Sequence, residues 1–286
     1  MPIREPVRNA RAQTPGPTPM PLLAGAGVLA AFFLPAAAHL GSVWVTSSAH
    51  HHCLLALPLT LWLLRRDGAF TRDDRAVALG GTAIGGFGLA LLITGLGYLC
   101  DLKIAQHAGV YIALLAVLAG YLGGAGLRRH ASTLFFLGFM VPVGDALIPP
   151  LQGLTTDTIQ LLGRWTGMGI AREGYLLTTE AGRFVVAEAC AGMRFLMAAL
   201  MLGTFYAHLC RFSWRCSALF LSAAAVMALA ANGLRAFFMV WLATLSDMRW
   251  GVGLDHYYFG WLIYLAMFFA LYALGTRLRP TPEHAG

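Results

Sequence analysis

The sequence predicts an all-α integral membrane protein of about eight transmembrane helices, with a small extracytoplasmic hairpin before the sixth. Composition and the spacing of apolar runs carry that expectation, and the basic residues orient it. The chain is 58% apolar and only 12% charged, whereas soluble domains carry about 25% charge. Apolar runs recur from end to end, several of them near the roughly 20 residues a helix needs to span a bilayer. The net charge of +7 does not point to nucleic acid. The basic residues lie in short loops between apolar runs, where topology signals belong.

Spans are expected at 20–40, 46–64, 76–99, 108–127, 131–149, 190–209, 217–244 and 257–276, with Pro58 and Pro142 interrupting the second and fifth. Residues 1–19 read as a disordered cytoplasmic N-terminus, 20–276 as one polytopic membrane domain, and 277–286 as a cytoplasmic tail. The proposed inner segments hold Arg4, Arg8, Arg11, Arg65, Arg66, Arg72, Arg75, Arg128, Arg129, Arg211, Arg215, Arg277 and Arg279. The outer ones hold only Lys103, Arg164, Arg172, Arg183 and Arg249. This bias places both termini in the cytoplasm.

Residues 150–189 are the one long segment between spans. In its first half, Leu151, Leu154, Thr158, Leu161, Leu162 and Trp165 recur at helical spacing, which predicts a helix lying along the membrane surface. In its second half, two β-rich runs flank Glu180-Ala181-Gly182 and predict a hairpin leading to Cys190. Gly81/Gly85 and Gly120/Gly124 have the spacing that lets membrane helices approach closely.

Ionisable side chains within spans are costly and mark candidate functional positions. Glu188-Ala189-Cys190-Ala191-Gly192-Met193-Arg194 sets a carboxylate, a thiol and a guanidinium at the mouth of the sixth span. Cys190 and Arg194, four apart, are expected on one helix face. A nearby cation and a helix N-terminus favour a thiolate in general. From these residues alone, Cys190 is equally a packing residue, with Arg194 reaching for the interface. Asn232-Gly233-Leu234-Arg235 puts an arginine inside the seventh span, and Asp255-His256 precedes the eighth with Gly260-Trp261 at helical spacing. The topology brings these three segments to the outer face. Thiol, imidazole and guanidinium together suit acyl transfer.

His50-His51-His52-Cys53 suggests a metal, but adjacent residues on one segment cannot all face one ion, so no metal or other cofactor is expected. Five cysteines are too scattered for a disulfide framework. Whether Cys53 and Cys100 pair near the outer face is open at this point. Cys210 and Cys216 fall at the cytoplasmic end.

The motifs jointly resemble the exosortase/archaeosortase family of membrane-embedded cysteine transpeptidases. The resemblance covers most of the chain. It rests on Phe135-Phe136-Leu137-Gly138-Phe139-Met140-Val141-Pro142, the Glu188–Arg194 and Asn232–Arg235 motifs, and His256 with Gly260-Trp261. Trp44 and the histidines at 50–52 resemble the family's first outer loop, while Ala191 stands where many members have serine.

The resemblance implies an enzyme of the bacterial inner membrane, a cysteine protease or transpeptidase. Its partners would be exported proteins carrying a C-terminal sorting signal: a short motif, a transmembrane helix and a basic tail. Cys190 would be the nucleophile, His256 the acid/base and Arg235 the oxyanion or substrate-orienting group. Glu188, Arg194 and Asn232 would bind substrate or support the site, and an acceptor of unknown identity would take the acyl group. Two other classes fit the composition. One is a transporter or flippase for envelope polysaccharide or lipid, and the other is a non-catalytic membrane scaffold.

Overall fold

A computed structural model describes residues 20–70, 80–250 and 255–279. The described elements are α1 (Met20–Thr46), α2 (Cys53–Arg66), α3 (Gly81–Leu99), α4 (Lys103–Arg129), α5 (Ala131–Leu137) and α6 (Ile148–Thr166). Then come β1 (Ala171–Glu173), β2 (Leu176–Thr179) and β3 (Gly182–Val185), followed by α7 (Met193–Leu209), α8 (Trp214–Leu245) and α9 (Asp255–Arg277). The expected N-terminal segment 1–19, most of the C-terminal tail, and Arg72 and Arg75 lie outside the described residues.

The chain is a multi-pass membrane protein, but its described helices do not form eight continuous spans. Six are long and apolar enough to cross a bilayer, or up to seven if one bent pair counts as a span. The differences fall at the second and fifth expected spans. Residues 47–52 turn instead of continuing a helix, so α2 starts only at Cys53. Its 14 residues cover about 21 Å, short of the roughly 30 Å hydrocarbon core. The expected fifth span, 131–149, breaks at Pro142. Proline pushes its predecessor out of the helical region, and Val141 is extended (φ −83°, ψ 119°). Gly144 follows at φ +105°. The chain then resumes toward α6, bent by 70° from the first limb.

Close helix approach occurs at other glycines than the expected pairs. A Cβ on Gly81 or Gly85 would meet nothing within 4 Å. On Gly109 it would collide with Thr94 of α3, and on Gly97 with Gln106 of α4. These two positions close the α3–α4 hairpin.

α8 is the organising element. Its 32 residues extend about 48 Å, well beyond a bilayer's hydrocarbon core. A Cβ on Gly192, just before α7, would touch the Asn232 side chain, so α7 starts level with Asn232. From Trp214 to Asn232 is about 27 Å, close to one bilayer thickness. The turns from there to Leu245 extend past the bundle into a cap built with α6 and the sheet. Ile159, Leu177, Val186, Ala236, Phe237 and Val240 form that cap's buried core.

The sheet is antiparallel, in the order β1-β2-β3, with Leu177 opposite both Arg172 and Phe184. Arg172 pairs with Asp157 of α6, and Thr244 of α8 donates to Thr179 at 3.2 Å. The face α6 turns to the protein coincides only in part with its leucine stripe. Leu151, Gln152, Thr155, Thr156, Ile159 and Gly163 are buried, whereas Leu154, Leu161 and Trp165 are exposed.

At the opposite end of the bundle, His208 bonds Asp67 at 2.8 Å and Ser132 at 3.2 Å, while Arg279 donates to the Tyr206 hydroxyl. Arg65, Arg66, Arg128, Arg129, Arg211, Arg215 and Arg277 gather at the helix ends and loop on this side.

Leu177 is fully buried between sheet and helices. Leu177→Ala is expected to destabilise the cap by about 2–5 kcal/mol. Limited proteolysis should then cut within residues 167–187 faster than in the parent protein, with the helical bundle remaining resistant.

Candidate active site

The segment reaching Cys190 is fixed from both sides. Gln152 of α6 donates its amide to the Val186 carbonyl, and the Val186 N–H bonds Tyr175 O at 3.0 Å. A 3₁₀ turn, Glu188–Cys190, follows, with Cys190 N on Ala187 O at 2.8 Å. Gly192 then takes φ +90°, a left-handed conformation that favours glycine, and α7 begins at Met193.

This geometry corrects one expectation. Cys190 lies in a separate turn ahead of the helix, so it does not share a helix face with Arg194. The Arg194 guanidinium donates to Ser48 Oγ at 3.1 Å. Arg235 of α8 is the cation at the thiol, with Nη2 3.6 Å from Cys190 Sγ. The Phe195 ring sits against both guanidiniums, each 5.6 Å from its centroid, and stacks on Tyr264. Arg194 and Arg235 each keep a buried Nε–H with no partner among the described residues.

Asn232, 1% exposed, holds the turn. Its amide nitrogen donates to Cys190 O at 2.8 Å and to Thr155 Oγ1 at 3.0 Å, and its oxygen accepts from the Tyr264 hydroxyl at 3.2 Å. Both donors and the acceptor of a buried amide are thereby used. Arg235, 7% exposed, lies one turn further along α8. The apolar run around it is long because the turns of α8 beyond Arg235 pack on the cap.

His256 occupies the first turn of α9, but its side chain lies outside the described residues. Gly260, one turn on, lies against Arg235: a Cβ there would sit 3.5 Å from Arg235 Cδ. Glu188 is exposed and, with Ser48, Asp145 and Arg194, lines an open cavity of mixed polarity, about 580 Å³. Cys190 and Arg235 border a second, mainly apolar cavity of about 130 Å³ on the cap side.

The three histidines of the first loop go to different partners. His50 bonds Ser47 at 3.0 Å and faces Asp145 at 3.5 Å, His51 bonds the Val45 carbonyl, and His52 lies 3.6 Å from Cys53 Sγ. All five cysteines are free thiols, so Cys53 and Cys100 do not pair.

Thr155, Gln152, Phe195 and Tyr264 complete the site without having stood out in the sequence. Their available signal was the small, polar stripe Gln152, Thr155, Thr156 and Gly163 at helical spacing, beside the more conspicuous leucines.

The architecture is that of a polytopic membrane protein with a polar site where its bundle meets a small cap. A family model described as transmembrane exosortase matches residues 44–273, and the chain belongs to that family. Membership gives it a general role in processing sorting signals at the membrane. No curated protein and no solved structure matches the chain.

Asn232→Ala would take their Asn232 partner from the Cys190 carbonyl and the Tyr264 hydroxyl, while Thr155 keeps its bond to the Leu151 carbonyl, at about 1–3 kcal/mol per buried group left unsatisfied. Gly192→Ala would force a Cβ to 2.7 Å from Asn232 Cγ in a left-handed backbone. Both variants are expected to lower the thermal unfolding midpoint in detergent, measured with the parent protein alongside.

Proposed function

We propose that this protein is a cysteine protease or transpeptidase acting at the extracytoplasmic face on the C-terminal sorting signals of exported proteins. The observation that carries the reading is the Arg235 guanidinium 3.6 Å from the Cys190 sulphur, with the Cys190 backbone held by Asn232. Family membership supplies the substrate class.

In this reading the Cys190 thiolate attacks the scissile carbonyl and forms a C–S bond. Arg235 donates to the oxyanion that develops. His256 protonates the leaving amine as the C–N bond breaks, leaving a thioester on Cys190. A second nucleophile, water or another acceptor, then attacks the thioester and frees the thiol. The place of His256 in the first turn of α9, on the same helical repeat as Gly260 against Arg235, supports its assignment. Asn232 positions the nucleophile's turn, while Glu188 and Arg194 line the polar approach to it. The chemistry draws on side chains alone and needs no cofactor.

The arginine-rich end of the bundle, opposite the cap, supports cytoplasmic termini and an extracytoplasmic cap by the positive-inside rule. The membrane would be the bacterial inner membrane, which exported proteins cross. A membrane-impermeant thiol reagent added to intact spheroplasts is expected to label Cys190 and spare Cys210 and Cys216. Labelling of Cys210 and Cys216 alone would reverse the orientation.

With a tagged exported protein bearing a C-terminal motif, transmembrane helix and basic tail, Cys190→Ala is expected to abolish processing in cells. Arg235→Lys keeps the charge but loses the planar fork, and should slow processing by about a hundredfold. Processing at the parent rate in Cys190→Ala would remove the nucleophile assignment. Full activity in Arg235→Lys would argue against oxyanion recognition by the guanidinium.

A further inference from the structure

The turn carrying Cys190 separates two cavities that differ in the charged groups on their walls. On the α1 side lies the open cavity of about 580 Å³, bordered by Ser48, Asp145, Glu188 and Arg194. On the cap side lies the smaller one of about 130 Å³, which Cys190 and Arg235 themselves border. The rest of its wall is apolar, with Ile159 of α6, Phe184 and Val186 from the last strand and its exit, and Ala236, Met239 and Val240 of α8.

Size and polarity limit what this smaller space accepts. The cavity of about 130 Å³ is somewhat smaller than the roughly 150 Å³ space that admits benzene. A branched aliphatic side chain fits that space readily, whereas a benzyl group fills it to its limit. A charged side chain would face a mainly apolar wall, with only Arg235 to compensate it. Ala236, Met239 and Val240 are each under 10% exposed, so they form a packed wall. Met239 is the adaptable element of that wall, an unbranched thioether. Ala236 is its smallest side chain.

We propose that this cavity is the subsite for the side chain flanking the scissile bond, that it selects a small aliphatic residue there, and that Met239 and Ala236 set its size. The inference rests on Cys190 being the nucleophile. It adds a specificity element contributed jointly by the cap and α8, one turn beyond Arg235.

N-acetyl aminoacyl chloromethyl ketones with Ala, Val, Leu or Phe side chains test it without any need for an identified substrate. The thiolate displaces chloride, forming a C–S bond at Cys190 and releasing the chloride ion. Adduct formation on the full-length protein is followed by peptide mass spectrometry and divided by the iodoacetamide rate at Cys190, which reports thiol reactivity without a side chain. Val and Leu reagents should label at least about tenfold faster than Phe, the range expected for size selection by an apolar pocket. Met239→Ala should raise the Phe rate about tenfold, and Ala236→Leu should bring Val and Leu down to the Ala rate. Equal normalised rates across all four reagents would overturn the subsite, as would an order left unchanged by both substitutions. A Cys190 that reacts with neither iodoacetamide nor any ketone would overturn the nucleophile assignment itself.

Discussion

The site depends on one buried amide. Asn232 reaches the cysteine turn, α6 and α9 at once, through Cys190 O, Thr155 Oγ1 and the Tyr264 hydroxyl. Such a group is stabilising only when every partner is present, because an unmet buried donor or acceptor costs about as much as a good hydrogen bond contributes. The network therefore sets the position of the Cys190 backbone. Gly192 is required for the same reason, since its φ of +90° and the lack of a Cβ let the turn lie directly on Asn232.

One turn along α8, Arg235 brings its charge to the thiol. The cost of placing a guanidinium in an apolar helix is moderated by its surroundings. Phe195 offers a ring face at 5.6 Å, Gly260 leaves room for the side-chain stem, and the Asn232 level lies about one bilayer thickness from the start of α8. The helix continues beyond that level because the cap supplies a second apolar environment, centred on Leu177 and Phe237. One long helix thus serves as membrane span, site wall and cap core. Segments far apart in the chain meet on it.

Much of this was legible in the residues. Composition identified the membrane class, and the motifs around Cys190 and Arg235 marked two side chains that do meet. The β-rich runs flanking Glu180-Ala181-Gly182 correspond to β2 and β3, although β1 adds a third strand at Ala171–Glu173. Three features were hidden for physical reasons. Hydropathy averages over the turn at residues 47–52 and the break at Pro142, so runs that read as spans are in fact a short helix, with Pro58 inside it, and a bent pair. The helical repeat linking Cys190 to Arg194 was broken by a single left-handed glycine, Gly192, which also handed the thiol to Arg235. In α6 the leucines outweighed the threonines in any reading by apolar spacing, yet Thr155 and Gln152 face the site. In a membrane protein the outward face is also apolar, so apolar spacing alone does not reveal which face packs inward.

In the proposed mechanism Cys190, held by Asn232 and faced by Arg235, forms a covalent acyl-enzyme with its substrate. The most direct measurement is mass spectrometry of the Cys190-containing peptide, taken from the full-length protein quenched in acid during turnover of a tagged sorting-signal substrate. The expected result is an adduct on Cys190 with the mass of the substrate's N-terminal fragment less water, released by hydroxylamine as a thioester should be. Efficient cleavage with no adduct on Cys190, and with the fragment carried on another residue, would contradict it.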